Sequence, residues 1–202
     1  MRLGTFANII TIDKKLHKAC AKGNRKAQYQ LYKMYFDVLM GVAMRYKSNP
    51  EDARVLVNQG FLKIFDNLEK YTFQGSFDAW IRRIMINTLI DDFRQIQIER
   101  ERIEHTDFSD LNGVVYGFDF NEAEQLLNVE QLEAMIHLLP PMTKNVFNLY
   151  AIDGYKHREI AALFSISIGT SKWHLSEARK KLITMIQNNM TPTLSSLQKG
   201  KS

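Results

Sequence analysis

Only one cysteine, Cys20, occurs in the whole sequence. It leaves no partner for an intramolecular disulfide and no set of thiolates for a structural zinc, and it fits a reducing compartment. No apolar run approaches the roughly 18 residues of a membrane-spanning helix. The N-terminal stretch from Phe6 to Ile12 is short, contains Asn8 and lacks a small-residue cleavage pattern, so the chain reads as cytoplasmic. Catalytic signatures are missing too: there is no Gly-x-x-x-x-Gly-Lys-Ser/Thr phosphate loop and no Gly-x-Ser-x-Gly elbow. His105, His137, His157 and His174 are scattered, without the i, i+4 partner of a zinc helix. Asp91 and Asp92 are adjacent, so on a helix they diverge by about 100° and form no shared carboxylate site. The expectation is a protein that is not an enzyme, with no cofactor, no metal and no small-molecule substrate.

What remains is a chain of 202 residues, 45% hydrophobic and 11% aromatic, long enough to bury a core in about one or two compact units. The formal net charge is +5, which favours a polyanionic partner. That charge is unevenly spread. Lys+Arg outnumber Asp+Glu by 16 to 9 over residues 1–94 and by 9 to 5 over 129–202, whereas 95–128 hold 2 against 8. Two basic blocks flank one acidic segment.

Apolar residues recur at helical spacing and strand alternation is hardly visible, so the chain reads as all-α. Helices fit Asp13 to Lys22 and Asn24 to Tyr46, the latter ending before Ser48-Asn49-Pro50, because the residue before proline resists the helical conformation. A third begins near Glu51 and would bury Val57, Phe61, Ile64, Phe65 and Leu68. Ser76 suits the N-cap of a fourth, running to Arg94 with Phe77, Trp80, Ile81, Ile84 and Met85 inward. Residues 95–128, acidic and weakly periodic, read as a flexible linker that spans on the order of 110 Å when extended. Beyond it, helices fit Val129 to Leu138, Met142 to Ile152, His157 to Phe164 and Ile168 to Gln187, and a flexible tail follows from Met190. The expected units are 1–94 and 129–189.

Two constellations carry chemistry. The last two helices, joined by the short turn Ser165-Ile166-Ser167, have helix-turn-helix spacing. Leu175, Ala178, Leu182 and Ile186 would face the core, while Lys172, Trp173, Ser176, Arg179 and Lys180 lie opposite, a mixture able to meet phosphates and base edges in a major groove. A solvated face on an ordinary helical hairpin has the same spacing. On the fourth helix, Arg83, Asn87, Asp91 and Arg94 form a polar stripe behind a loop that holds Tyr71 and Phe73. Aromatics beside basic residues and an asparagine can stack on and hydrogen-bond unpaired bases, or they can simply be core beside a salt-bridged surface.

These residues carry a resemblance. Phe61-Leu62-Lys63-Ile64-Phe65 and Gly75-Ser76-Phe77-Asp78-Ala79-Trp80-Ile81-Arg82-Arg83-Ile84-Met85-Ile86-Asn87-Thr88 are similar to region 2 of bacterial RNA polymerase sigma factors of the sigma-70 family, extracytoplasmic-function (ECF) group. Leu138-Leu139-Pro140-Pro141, Val146-Phe147-Asn148-Leu149, Ile152-Asp153-Gly154-Tyr155, His157-Arg158-Glu159-Ile160-Ala161 and Gly169-Thr170-Ser171-Lys172 are similar to region 4. The chain most resembles members from Bacteroidetes-type bacteria.

The resemblance implies a region 2 helical bundle and a region 4 helix-turn-helix on an acidic tether, serving promoter-specific transcription initiation. Region 2 would grip the β′ clamp helices of core RNA polymerase and read and melt the −10 element; region 4 would read the −35 element as duplex. Carried onto matching positions, Tyr71, Phe73, Gly75 and Ser76 would line a pocket for an extruded base, with Arg83, Asn87 and Asp91 facing the −10 element. Arg158, Thr170, Lys172, Trp173, His174, Ser176 and Arg179 would serve the −35 groove. Glu177 would pair with Lys181 rather than with a base. Core polymerase, including its β subunit, would be met through Asp52, Val55, Leu56, Asn58, Gln59 and Lys63. There Arg54, Val55 and Gln59 replace carboxylates usual in the family, and Gly60 weakens the helix by about 1 kcal/mol relative to alanine. Promoter DNA and a membrane-anchored anti-sigma factor are the other implied partners, the latter holding the protein at the inner membrane. A conventional helix-turn-helix regulator would instead bind duplex tightly by itself, usually as a dimer, and a sigma-derived interaction protein would bind partners without transcription.

Overall fold

In a computed structural model the structure describes residues 12–103 and 129–198, and every regular element among them is a helix. The chain divides into two compact units, Met1–Thr106 and Asp107–Ser202. Unit 1 holds α1 (Lys14–Ala21), α2 (Arg25–Tyr46), α3 (Pro50–Asn67), a 3-10 turn (Leu68–Lys70) and α4 (Phe77–Ile103). Unit 2 holds α5 (Val129–His137), α6 (Pro141–Phe147), a π-helical turn (Asn148–Ile152), α7 (His157–Phe164) and α8 (Ile168–Gln198).

Short polar side chains start these helices by satisfying amides that have no partner within the helix. Asp13 accepts from the Leu16 amide at 2.7 Å, Asn24 from Ala27 at 3.1 Å and Asn49 from Glu51 at 2.8 Å, ahead of Pro50 in the first turn of α3. Ser76 accepts from Ala79 at 3.4 Å and Ser167 from Thr170 at 2.9 Å. The left-handed Gly23 lies between α1 and α2, and left-handed Ser165 ends α7.

In unit 1, α2, α3 and α4 pack on one another and α1 lies against α2. Tyr35, Leu39, Val57, Ile81 and Met85 are at most 1% exposed. Burial pushes the Tyr35 phenol up to about 12, with the Asp78 carboxylate as the next contributor. The expected inward faces hold with shifts. On α3, Leu56 is buried and Phe65 only half-buried; on α4, Trp80 and Ile84 are half-buried while Ile86, Leu89 and Ile90 are inside. α4 also runs nine residues past Arg94, because Gln95 to Ile103 contain no glycine or proline and are rich in good helix formers. The first part of the expected linker is therefore helix, and the rest of it lies outside the described residues.

Unit 2 gathers α5, α6 and α7 against α8. Leu175, Ala178, Leu182 and Ile186 are buried as the periodicity requires. The helix expected from Met142 to Ile152 is split into α6 and the π-helical turn. The backbone of α8 continues to Gln198, past the expected end at Gln187, since the stretch contains no glycine and Pro192 is its only breaker. Of the expected tail, residues 199–202 lie outside the described residues.

Gly60 explains itself in the packing. A Cβ built there would lie 2.7 Å from the Sδ of fully buried Met85, so any side chain at this position requires the packed thioether to shift. At Gly41, in the middle of α2, nothing lies within 4 Å of such a Cβ. Gly60→Val is therefore expected to lower the unfolding free energy of the chain by about 1–3 kcal/mol in urea denaturation. Gly41→Ala, in open space, is expected to raise it by about 1 kcal/mol.

Candidate nucleic-acid interface

Two surfaces, one in each unit, meet the sequence expectations. In unit 2, α7 and α8 are joined by Ser165-Ile166-Ser167. At the start of α7 the Glu159 carboxylate accepts from the Lys156 amide at 2.9 Å, and at the start of α8 Ser167 Oγ also bonds the Thr170 hydroxyl at 2.8 Å. Because Leu175 and its stripe turn inward, Lys172, Arg179 and Lys180 turn out, exposed, and Arg158 is exposed on α7. Among the described residues no carboxylate forms an ion pair with any of these four cations. Glu177 pairs instead with Lys181 at 3.6 Å, the i+4 partner expected for it. A row of unneutralised cations on one helix face suits a phosphate backbone, whose binding releases condensed counterions.

Other members of that surface face elsewhere. The Nδ1 of His174 lies 3.1 Å from Thr143 Oγ1 on α6, which turns the imidazole toward the helix beneath rather than into a groove. Trp173 is half-buried with its ring edge against His174, centroids 4.8 Å apart, and Ser176 is half-buried. The Thr170 hydroxyl is bonded to the hydroxyl of Ser167, the residue that caps α8. His157, which the site reading left aside, stacks on Tyr150 with centroids 4.5 Å apart and places Nδ1 2.9 Å from the hydroxyl of buried Ser171.

In unit 1, the loop ahead of α4 is built on rings. The Tyr71 hydroxyl donates to the Gly75 carbonyl at 2.6 Å and closes the loop. Its ring lies 4.8 Å from Phe73, 5.0 Å from Phe77 and 5.5 Å from Trp80, centroid to centroid. Phe73 has a left-handed backbone, φ 60°, and is 39% exposed. Gly75 and Ser76 are exposed beside it, and Arg83 and Asn87 are exposed along α4. Asp91 is exposed but paired with Lys63 at 3.0 Å, and Asp92 with Lys47. One residue expected at the polymerase surface is thus tied to one expected at the −10 element.

α3 turns Asp52, Val55, Asn58, Gln59 and Lys63 outward. Leu56, grouped with them from the sequence, is 3% exposed and packs inside the bundle; its spacing with Val57 and Ile64 puts it on the buried face. Leu62, which was not singled out as a site residue, is 64% exposed and Val55 56%, about two helical turns apart on the same side. Asn58 Oδ1 accepts from the Tyr32 hydroxyl of α2 at 3.1 Å. Two exposed aliphatics with two amides between them make an amphipathic patch suited to another protein.

A bundle with an open aromatic loop and a helix-turn-helix with bare cations define a class: an all-α protein addressed to nucleic acid. Residues 14–188 match the family described as ECF sigma factor. The ECF RNA polymerase sigma-E factor of Haemophilus influenzae is 26% identical over 190 residues, covering 90% of this chain and 97% of that one. The ECF RNA polymerase sigma factor SigE of Mycolicibacterium smegmatis is 26% identical over 171 residues, covering 83% of this chain and 64% of the relative. Among solved structures, the sigma factor RpoE of Bartonella quintana, in complex with the anti-sigma factor NepR, aligns with a TM-score of 0.49 and 18% identity over 79% of this chain and 96% of that one. With the match running through both units, the chain belongs to the ECF sigma factor family.

Two half-buried imidazoles give unit 2 a pH dependence. Burial lowers the His157 pKa below 6.5, helped by the Lys172 and Arg179 charges, and burial lowers that of His174 against the pull of Glu177. Both groups bind protons more readily when unfolded, so their contribution to stability is whole above pH 6.5 and is lost as pH falls through the lowered values. Thermal melts followed by circular dichroism are expected to move down over that interval, and less so in the His157→Gln, His174→Gln double variant.

Proposed function

We propose that this chain is a promoter-specificity subunit that binds core RNA polymerase and directs initiation, unit 1 reading and melting the −10 element and unit 2 reading the −35 element. The observation that carries this is the unbroken family match from residue 14 to 188, which takes in the aromatic loop and the helix-turn-helix in order. In unit 1 the loop of Tyr71, Phe73, Gly75 and Ser76 takes an extruded base, where stacking of about 1–3 kcal/mol offsets the few kcal/mol of unpairing. Arg83 and Asn87 lie along the same strand, with Asp91 holding Lys63 beside them. In unit 2, Lys172, Arg179 and Arg158 supply phosphate and base-edge contacts. Ser176 and Trp173 border the groove, and His174 sets the angle of α8 through Thr143. The patch of Asp52, Val55, Asn58, Gln59 and Leu62, with Lys63, meets core polymerase, and Leu56 supports it from within.

Such a subunit carries no chemistry of its own, since the polymerase forms the phosphodiester bonds. It works in the cytoplasm, and an anti-sigma factor is the expected regulator, with the inner membrane as the place of sequestration. No helix among the described residues is long and apolar enough to cross a membrane.

Run-off transcription with core polymerase and a genomic fragment library tests the reading. Start sites that appear only with the chain, sharing paired upstream elements, are expected; tight duplex binding by the chain alone with no new starts would overturn it. On a promoter so found, Arg179→Ala or Lys172→Ala is expected to weaken holoenzyme binding and to make the log K against log salt slope shallower by about 0.9 for each phosphate contact removed.

A further inference from the structure

The aromatic loop does not stand on its own element. Phe73 is held at a φ of 60°, a left-handed conformation that is unfavourable for a residue with a Cβ. It persists only where surrounding contacts impose it. Two of those contacts come from α1, far away in sequence. The imidazole of His17 and the Phe73 ring pack edge to face, centroids 4.8 Å apart at 70°, and the imidazole lies 5.8 Å from Tyr71. The Nζ of Lys14, one helical turn earlier, stands 5.7 Å from the centre of the Phe73 ring.

His17 is itself anchored. Its Nε2 lies 2.9 Å from the Leu68 carbonyl, at the start of the 3-10 turn that feeds the loop. A carbonyl only accepts, so Nε2 carries the hydrogen. The imidazole therefore pins the loop's entry through one nitrogen and braces its tip through the ring contact. Tyr71, bonded to the Gly75 carbonyl, closes the other side. Phe73 is left 39% exposed between these supports, with part of its surface turned to solvent where a base can stack.

We propose that His17 is the positioning residue of this site, holding Phe73 in its left-handed, half-exposed conformation so that the loop is preorganised for an unpaired base. Lys14 adds a cation at the rim, where the strand's phosphate can reach it. The inference rests on the reading of the loop as a base pocket. It assigns α1, which contributes nothing to the polar stripe of α4, a direct part in recognising the melted strand.

The test uses the full chain assembled with core polymerase. The probe is a short single-stranded oligonucleotide that the wild-type holoenzyme selects from a randomised pool. Phe73→Ala is expected to weaken its binding about tenfold. His17→Ala is expected to do nearly the same, and the double variant to be no weaker than either single one, because both remove one unit. His17→Gln, which keeps an N–H for the Leu68 carbonyl, is expected to recover part of the loss. Affinity for core polymerase is expected to stay unchanged in all of them, which separates positioning from a general loss of fold. If Phe73→Ala weakens binding and His17→Ala does not, or if the two losses add, the inference fails while the base pocket stands. If Phe73→Ala has no effect, or the holoenzyme selects no oligonucleotide, the reading of the loop fails and the inference falls with it.

Discussion

The thioether of Met85 on α4 lies 2.7 Å from where a Cβ of Gly60 on α3 would stand, so the Met85 side chain takes up the space a residue with a side chain would need there. Once α4 buries Phe77, Ile81, Met85 and Leu89, helical geometry turns Arg83, Asn87 and Asp91 to the outside. Once α3 buries Ala53, Leu56, Val57 and Ile64, it turns out Val55, Asn58, Gln59 and Leu62. The nine residues 68–76 that connect these elements form a 3-10 turn and then a loop with a left-handed Phe73 packed among rings. The two candidate surfaces of unit 1 thus follow from the faces that α3 and α4 bury.

Charge is used differently in the two units. In unit 1 several charges of α3 and α4 pair with one another: Arg54 with Glu51, Lys63 with Asp91, and half-buried Arg82 with Asp78. Such surface pairs contribute less than about 1 kcal/mol each, so they restrain side chains more than they stabilise the bundle. What this unit exposes beside those pairs is the Phe73 ring. Unit 2 keeps Lys172, Arg179, Lys180 and Arg158 without ion-pair partners among the described residues, and so offers an uncompensated field. Stacking suits single strands because every base has a π face; unneutralised cations suit a duplex backbone.

Much of the fold was legible because its signals are local. Asp13, Asn24, Asn49 and Ser76 mark helix starts through hydrogen bonds spanning two or three residues, so reading them needs no tertiary contact. The stripe of Leu175, Ala178, Leu182 and Ile186, and the Glu177–Lys181 pair, obey helical periodicity and appear as expected. Errors arose where the resemblance and the packing differ. On α3 the spacing with Val57 and Ile64 puts Leu56 on the buried face, whereas the resemblance groups it with the outward polymerase-facing residues. On α8, His174 lies between the buried and exposed stripes, and Thr143 on α6 draws it inward.

The sequence alone therefore determined that the chain is helical, where most of its helices begin and which stripe of α8 is apolar, since these depend on neighbours within about one turn. It also carried the family, through motifs read as strings. Only the tertiary structure decided that Gly60 makes room for Met85, that Lys63 reaches Asp91, and that His17 supports Phe73 through the Leu68 carbonyl 51 residues away. Those contacts join residues remote along the chain, and no local periodicity encodes which remote partner a side chain will meet.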